Sequence, residues 1–250
     1  LPSDLLNISE VGSANKKFWN EPCETNSYNY LGFDSEQDFD AWFFRFRSYL
    51  EEFIQFSKIK GKKVLEVGLD MGSVSERLGK VGADFYGMDI AEGAVECVNK
   101  RFLESGFEGK ALIGDILNCP WEDNFFDNVI SIGCIHRRGD FYKTVEELVR
   151  VQNPGRQGVF MFYNAFSYRQ WFTSPIRTLM KSFTSVSRSP IRGKNVERGM
   201  YDTNSKGEAA PSTEFLSRKE IAQQMNGLRT KVKISCENIG SHFMFPLPRF

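Results

Sequence analysis

The chain has 250 residues, enough for one domain with an elaboration and for a sizeable buried core. Its 32 Lys and Arg balance 32 Asp and Glu, so no global field draws it onto nucleic acid or a membrane. The five cysteines (Cys23, Cys97, Cys119, Cys134 and Cys236) form no Cys-x-x-Cys pair, which argues for reduced, buried thiols in a cytoplasmic setting and against a zinc or disulfide framework.

No apolar run approaches the ~18 residues of a membrane span, and no signal peptide is visible. The chain begins with Leu1 rather than Met, so its ends are those expected of a fragment. Residues 1–32 read as loop, with Phe18-Trp19-Asn20-Glu21-Pro22-Cys23 as the distinctive cluster. Aromatic residues in such a polar arm pack as a lid on a domain. Ser35 and Asp38 then form a capping box. Phe39, Trp42, Phe43, Phe46, Leu50, Phe53 and Ile54 recur at helical spacing, predicting an aromatic stripe that ends near Lys60-Gly61. It packs on the core or, in the other reading, walls a substrate.

Val64, Leu65 and Val67 predict a strand buried on both faces, as in parallel sheets. The turn holding Gly68 and Gly72 follows, and Val74, Leu78 and Val81 mark a helix. Glycines let such a turn adopt unusual dihedrals and approach a ligand closely, while free N–H groups face it from the helix start. Asp84–Asp89 predicts the second strand. Asp89, about 20 positions after Gly68, has the spacing of an acid that reaches a ribose hydroxyl pair. Its other reading is a helix-start acid. A helix over Ala91–Ser105 and a third strand over Lys110–Ile113 follow, with Asp115 as a possible turn cap.

Asp127–Ile132 is the expected fourth strand, running into Gly133-Cys134-Ile135-His136. Val145, Leu148 and Val149 mark a helix stopped before Asn153-Pro154-Gly155, and Gly158–Tyr163 is the fifth strand. This alternation implies a parallel sheet with helices on both faces. Gly68, Asp89, Asp115 and His136 then collect at the strands' C-terminal edge, where ligands bind. From Phe166 to Ala210 the pattern becomes an insertion. Ser174-Pro175 opens a helix with Ile176, Leu179, Met180 and Phe183 on one face and Arg177 and Lys181 elsewhere. Eight Lys and Arg stand against three Asp and Glu in residues 165–210. Such a segment can lid an anionic substrate, touch a membrane surface, or simply link with one packed helix. Ser217 and Glu220 form a second capping box, opening a helix to about Met225. Lys231–Cys236 alternates as a sixth strand, Asn238–Phe250 is a poor seventh with its two prolines, and His242 receives no role.

Taken together, Glu66-x-Gly68-x-x-x-Gly72, Asp89, Gly114-Asp115, Pro120-Trp121, Phe126-Asp127-Asn128-Val129-Ile130 and Arg150-Val151-x-x-Pro154-Gly155 resemble a class I S-adenosylmethionine-dependent methyltransferase of the small-molecule type. The resemblance covers residues 60–165. It implies an α/β, Rossmann-like, doubly wound and mostly parallel sheet whose seventh strand is doubtful. It divides the chain into an N-terminal arm with amphipathic helix (1–60), a cofactor-binding core (61–164), a basic insertion or lid (165–215) and a last helix and strand with a tail (216–250). It implies S-adenosyl-L-methionine as cofactor, held by Glu66, Gly68, Asp70, Gly72, Asp89, Ile90, Asp115, Ile116 and Gly133, with Asp115 on the adenine amino group. His136 is implied as the base or orienting group for a small-molecule methyl acceptor. Trp19, Tyr163, Asn164 and Tyr168 are implied as acceptor-binding residues, with no metal and with the oligomeric state open.

The chain departs from the family pattern at four places. Asp70 replaces the middle glycine of the turn, Arg137 follows His136, Asn153-Pro154-Gly155-Arg156 replaces a Lys-Pro-Gly-Gly turn, and the seventh strand is weak. Asp70 matters most, because a carboxylate ~4 Å from the cofactor's own would repel it by ~1 kcal/mol in water-like and ~4 kcal/mol in surface-like surroundings. A degenerate binding or structural domain without turnover is therefore the alternative. A nicotinamide oxidoreductase fits worse, since Gly-x-Gly-x-x-Gly is absent.

Overall fold

The β-branched and leucine run after Gly61-Lys62 forms the central strand β1 (Lys63–Val67), buried on both faces beyond its first residue. The computed structural model describes residues 10–24, 28, 32–183, 191–204, 206–228 and 233–235. Around β1 lie β2 (Asp84–Asp89), β3 (Gly109–Ile113), β4 (Phe126–Ile132) and β5 (Gln152–Met161). Their order is β3-β2-β1-β4-β5, and every pairing is parallel.

Parallel neighbours need crossovers. Here α4 (Ser73–Lys80) joins β1 to β2, α5 (Glu92–Ser105) joins β2 to β3, and α6 (Phe141–Val151) joins β4 to β5. Because the chain winds one way from β1 to β3 and the other way from β4 to β5, a crevice opens where β1 meets β4. Side chains alternate across the sheet. Val64 enters the core that holds Phe39, Leu78 and Val98, whereas Leu65 and Val67 enter the opposite one with Val129, Val145 and Leu148. The expected α/β fold is the one observed.

Several boundaries differ for physical reasons. The supposed N-terminal loop contains helix α1 (Glu10–Glu24), packed on α5. Gly12, Asn15 and Phe18 are its buried positions, and a glycine and an asparagine on the buried face hide the apolar period. The aromatic stripe is two helices, α2 (Glu36–Phe46) and α3 (Tyr49–Ile54), which ends before Lys60 because Gln55 turns left-handed at φ 54°. Ser35 caps α2 as expected, accepting from the Asp38 amide at 3.1 Å. α2 is tied to the site's scaffold by Asp40, which accepts from Arg101 Nη1 at 2.9 Å and from the Ser73 hydroxyl at 2.6 Å.

Strand β5 begins at Gln152 rather than Gly158. Its register slips between Phe126↔Gln152 and Asn128↔Gln157, so Asn153-Pro154-Gly155-Arg156 is taken up as a bulge inside the strand. The expected sixth strand is not seen in Lys233–Ser235. Its other residues, with Asn238–Phe250, lie outside the described residues, as do Cys236 and His242. Cys119 is buried, but Cys97 and Cys134 are only half-buried.

The insertion forms α7 (Tyr168–Thr173), α8 (Pro175–Phe183), α9 (Asn195–Gly199) and a short antiparallel pair, β6 (Ile191–Arg192) with β7 (Glu214–Phe215). Pro175 opens α8 as its first residue. α10 (Arg218–Gly227) follows, with the Ser217/Glu220 capping box formed. Arg177 and Lys181 do not face an anionic substrate. Arg177 pairs with buried Glu197 at 3.0 Å and Lys181 with buried Glu220 at 2.9 Å.

Candidate active site

The turn after β1 makes the floor of the crevice. Gly68, Asp70 and Gly72 have φ of 83°, 49° and 82°, a region that costs L side chains steric energy. Gly68 is required by crowding as well, since a Cβ there would lie 2.4 Å from the Cβ of Cys134. Asp89, at the end of β2, ties the turn down: Oδ2 accepts from the Leu69 amide at 2.7 Å and Oδ1 from the Ala91 amide at 2.8 Å. Burial raises the Asp89 pKa, while these backbone donors pull it back.

Below, Glu66 is 2% exposed and accepts from the Ser75 hydroxyl at 2.6 Å. Burial pushes its pKa up to about 8, so the carboxyl is protonated at neutral pH. Above this floor lies a cavity of about 1200 Å3, large enough for a nucleoside-sized ligand together with a second molecule. Glu66, Gly68, Asp70, Asp89, Ile90 and Gly133 of the implied cofactor set face it, as do Trp19, Tyr163, Asn164 and Tyr168 of the implied acceptor set.

Four expected residues are placed elsewhere. Gly72 is the N-cap of α4, and a Cβ on it would press on Val98 at 3.0 Å and Arg101 at 3.2 Å. It serves helix packing rather than ligand approach. Asp115 is held by Arg138, whose Nε donates at 2.9 Å and whose Nη2 donates to the other oxygen, and it also caps the following turn through the Leu117 amide at 3.0 Å. Its carboxylate is absent from the cavity wall. Ile116 is buried in the core beneath.

His136 is 0% exposed and also absent from the wall. Among the described residues neither ring nitrogen has a hydrogen-bond partner of good geometry. Its ring instead packs 4.3 Å from that of Tyr163. Burial and the neighbouring Arg137 hold its pKa well below the ordinary histidine value, with the Met161 backbone opposing weakly. Sealed and neutral, it is not positioned as a base for an acceptor.

The groups that do face the cavity near the acceptor set are Arg137 and Asp202. Arg137 lies 4.0 Å over the Trp19 ring and donates from Nη2 to Asp202 Oδ1 at 2.9 Å and to the Tyr163 hydroxyl at 3.3 Å. Tyr163 in turn donates to Asp202 Oδ1 at 3.1 Å. Asn15 of α1 fixes the backbone below by donating to the Arg137 carbonyl at 2.7 Å. Burial lowers the Arg137 pKa, but Asp202 and Tyr163 outweigh it and the group stays charged. Burial, then Asp202, pushes the Tyr163 phenol up to about 12, so it remains a donor. Asp202 Oδ2 is buried and, among the described residues, without a partner.

Asp70 is exposed to the cavity's water yet enclosed by surrounding protein, and that enclosure raises its pKa. Arg47 and Arg137 pull it down, and Asp202 pushes it up. The upward push of burial is the larger, and the two cations oppose it. The repulsion expected at Asp70 is thus opposed by two arginines. The Arg137-Arg138 pair directly after His136 was the one signal for this cluster in the sequence. Asp202 sits in an unpatterned stretch and gave none. Among the described residues no group of three His, Cys, Asp or Glu is arranged to hold a metal.

Comparison with known proteins fits this arrangement. Residues 65–161 match the family model of a methyltransferase domain. The chain is 30% identical over 123 residues to norajmaline N-methyltransferase of Rauvolfia serpentina, covering 46% of this chain and 42% of that protein. It is 29% identical over 135 residues to demethylmenaquinone methyltransferase of Paenarthrobacter aurescens, covering 52% and 51%. The chain thus spans about half, or less, of the length of the curated relatives it matches. Among solved structures, a SAM-dependent methyltransferase from Methanosarcina mazei shares the fold with a TM-score of 0.52 at 15% identity, over 68% of this chain and 80% of that one.

Proposed function

We propose that this chain, whose residues 65–161 match a methyltransferase domain, is a class I S-adenosylmethionine-dependent methyltransferase that transfers a methyl group to a small-molecule acceptor. The observation that carries the proposal is the left-handed glycine turn pinned by Asp89 at the floor of the cavity where β1 meets β4.

The residues present fit the cofactor. Only a Cβ-free residue fits at position 68, which leaves room at the floor. Asp89 accepts from the Leu69 and Ala91 amides, and the acceptor capacity of its two oxygens leaves room for the ribose hydroxyls. Ile90 and Gly133 line the same cavity and complete the holding set, with protonated Glu66 beneath. When bound there, S-adenosylmethionine supplies an electrophilic methyl on its sulfonium.

The protein's part is to hold the acceptor close and dry. Trp19, Tyr163, Asn164 and Tyr168 form the acceptor side. Asp202 lines this side of the cavity as well; Arg137 and Tyr163 hold its Oδ1 and its Oδ2 is buried, so its part is to fix Arg137 and Tyr163 beside the acceptor. The free thiols Cys97, Cys119 and Cys134 fit a reducing, cytoplasm-like compartment.

The competing reading, a binding domain without turnover, draws on the sealed His136 and the Arg138-bound Asp115. The test incubates the protein with methyl-labelled S-adenosylmethionine and a panel of phenols, amines and demethylquinols. Protein-dependent label in the organic extract is expected. Cofactor binding with no transfer to any member would favour the domain without turnover.

A further inference from the structure

Helices α7 and α8 are turned inside out. Along α8 the polar side is packed inward: Thr178 is fully buried and donates to the Gln170 and Ser174 carbonyls, at 3.1 and 2.8 Å. Arg177 and Lys181 reach inward to Glu197 and Glu220. The apolar side faces out, with Ile176 74%, Met180 62% and Phe183 80% exposed, and Phe172 of α7 81% exposed beside them. Trp171, Leu179 and Tyr168 extend the same exposed surface. A helix on a protein in water ordinarily buries that stripe, and an apolar surface of this extent marks an interaction site.

Two observations select the partner. The first is charge. Residues 165–210 carry eight Lys and Arg against three Asp and Glu. Arg177 and Glu197 neutralise each other, Lys181 is taken up by Glu220, and Asp202 is held by Arg137. Arg192 and Lys194 are exposed beside Val196, which is itself exposed. Arg192 adjoins α8, its carbonyl accepting from Arg177 Nη2 at 2.8 Å, so exposed positive charge stands beside the apolar face. The second is continuity: Tyr168 and Arg169, at the start of α7, also line the cavity, so the apolar face leads to its mouth.

We propose that the outer face of α7 and α8 docks the protein on an anionic lipid bilayer, with Phe172, Ile176, Met180 and Phe183 entering the acyl boundary and the cavity mouth at the lipid surface. Trp171 and Tyr168 lie at headgroup depth, where amphipathic rings settle, and exposed cations such as Arg192 and Lys194 meet anionic headgroups. Resting on the methyl-transfer reading, this also makes the acceptor a lipophilic molecule that enters from the bilayer.

Docking is read without turnover, by co-sedimentation of the full chain with vesicles. One set is phosphatidylcholine alone and the other contains equal phosphatidylglycerol. Binding to the anionic set should exceed the neutral set by ~10-fold or more, at ~5-fold per engaged cation, and should weaken with added salt. The double substitution Phe172→Ser with Phe183→Ser should cut partitioning by ~100-fold or more, since each ring withdrawn from lipid costs at least ~10-fold. Both sites are exposed, so the variant's thermal unfolding and S-adenosylhomocysteine affinity should match the parent. The proposal is overturned if the parent binds neither vesicle, or if the variant binds as well as the parent. It is also overturned if the parent forms a dimer that the variant does not and that vesicles fail to displace, which would make the face a contact between copies. Vesicle binding with no S-adenosylhomocysteine binding would keep the docking surface and sink the methyl-transfer reading.

Discussion

Replacing Glu66 with Gln alters the side chain's charge and barely its shape, so it isolates the electrostatic cost stored beneath the glycine turn. Glu66 is buried, and Gln retains an oxygen to accept from Ser75 at the present 2.6 Å. Burial is the main reason that its pKa stands at about 8 rather than 4.5, with Asp89 and Asp70 adding to the rise and Ser75 opposing it. The sign follows from linkage. Below pH 4.5 the group is protonated in both folded and unfolded chains, so the stability associated with it is fully present. As the pH rises past 4.5 the unfolded chain ionises while the folded one does not. Stability is then lost steadily until the folded carboxyl ionises near pH 8. At ~1.4 kcal/mol per unit of separation, the total is at most ~5 kcal/mol, with ~3 kcal/mol of it lost between pH 5 and 7. Urea unfolding of both proteins from pH 5 to 9 measures this directly. The difference should swing by several kcal/mol in favour of Glu66→Gln as the pH rises, at unchanged m-value. Parallel profiles would refute the burial argument for Glu66.

Other perturbations separate scaffold from site. Arg138→Gln strands Asp115, a largely buried carboxylate, and should cost ~3 kcal/mol in urea unfolding; a loss below ~1 kcal/mol would mean that solvent screens the pair. Asp70→Asn keeps a residue tolerant of positive φ but removes the charge. Because Arg47 and Arg137 already oppose that charge, calorimetric S-adenosylhomocysteine affinity should change by no more than ~1 kcal/mol, or ~5-fold; a hundredfold gain would restore the repulsion expected from sequence. His136→Phe preserves the ring packing on Tyr163. Methyl transfer to any accepted substrate should stay within ~3-fold, whereas the ~100-fold loss typical of a missing acid–base group would return His136 to catalysis.

What could be read in the sequence is what local chemistry dictates. The run Val64–Val67, the turn glycines and the spacing to Asp89 each carry their structural reason in their own residue types, so the sheet and the crevice floor followed. Ser35 and Ser217 announced their helices because caps are local hydrogen bonds. What the sequence does not carry depends on contacts distant along the chain. Nothing around His136 says that Tyr163 will cover its ring, and nothing around Asp115 says that Arg138 will take its carboxylate. Asp202 comes to the cavity only because the insertion folds back onto Arg137. Helix α1 was missed because its buried face uses Gly12 and Asn15. The face of α8 was legible as amphipathic, but which side turns outward is decided by the buried Glu197 and Glu220, which lie elsewhere in the chain.

The central claim is that the crevice between β1 and β4 holds S-adenosylmethionine through Asp89. A calorimetric titration of the parent protein and of Asp89→Ala with S-adenosylhomocysteine tests it most directly. The account predicts one site per chain in the parent and a loss of ~1.5–3 kcal/mol in the variant, the worth of hydrogen bonds to a charged group. No heat of binding to the parent, or equal affinity in both proteins, would contradict it.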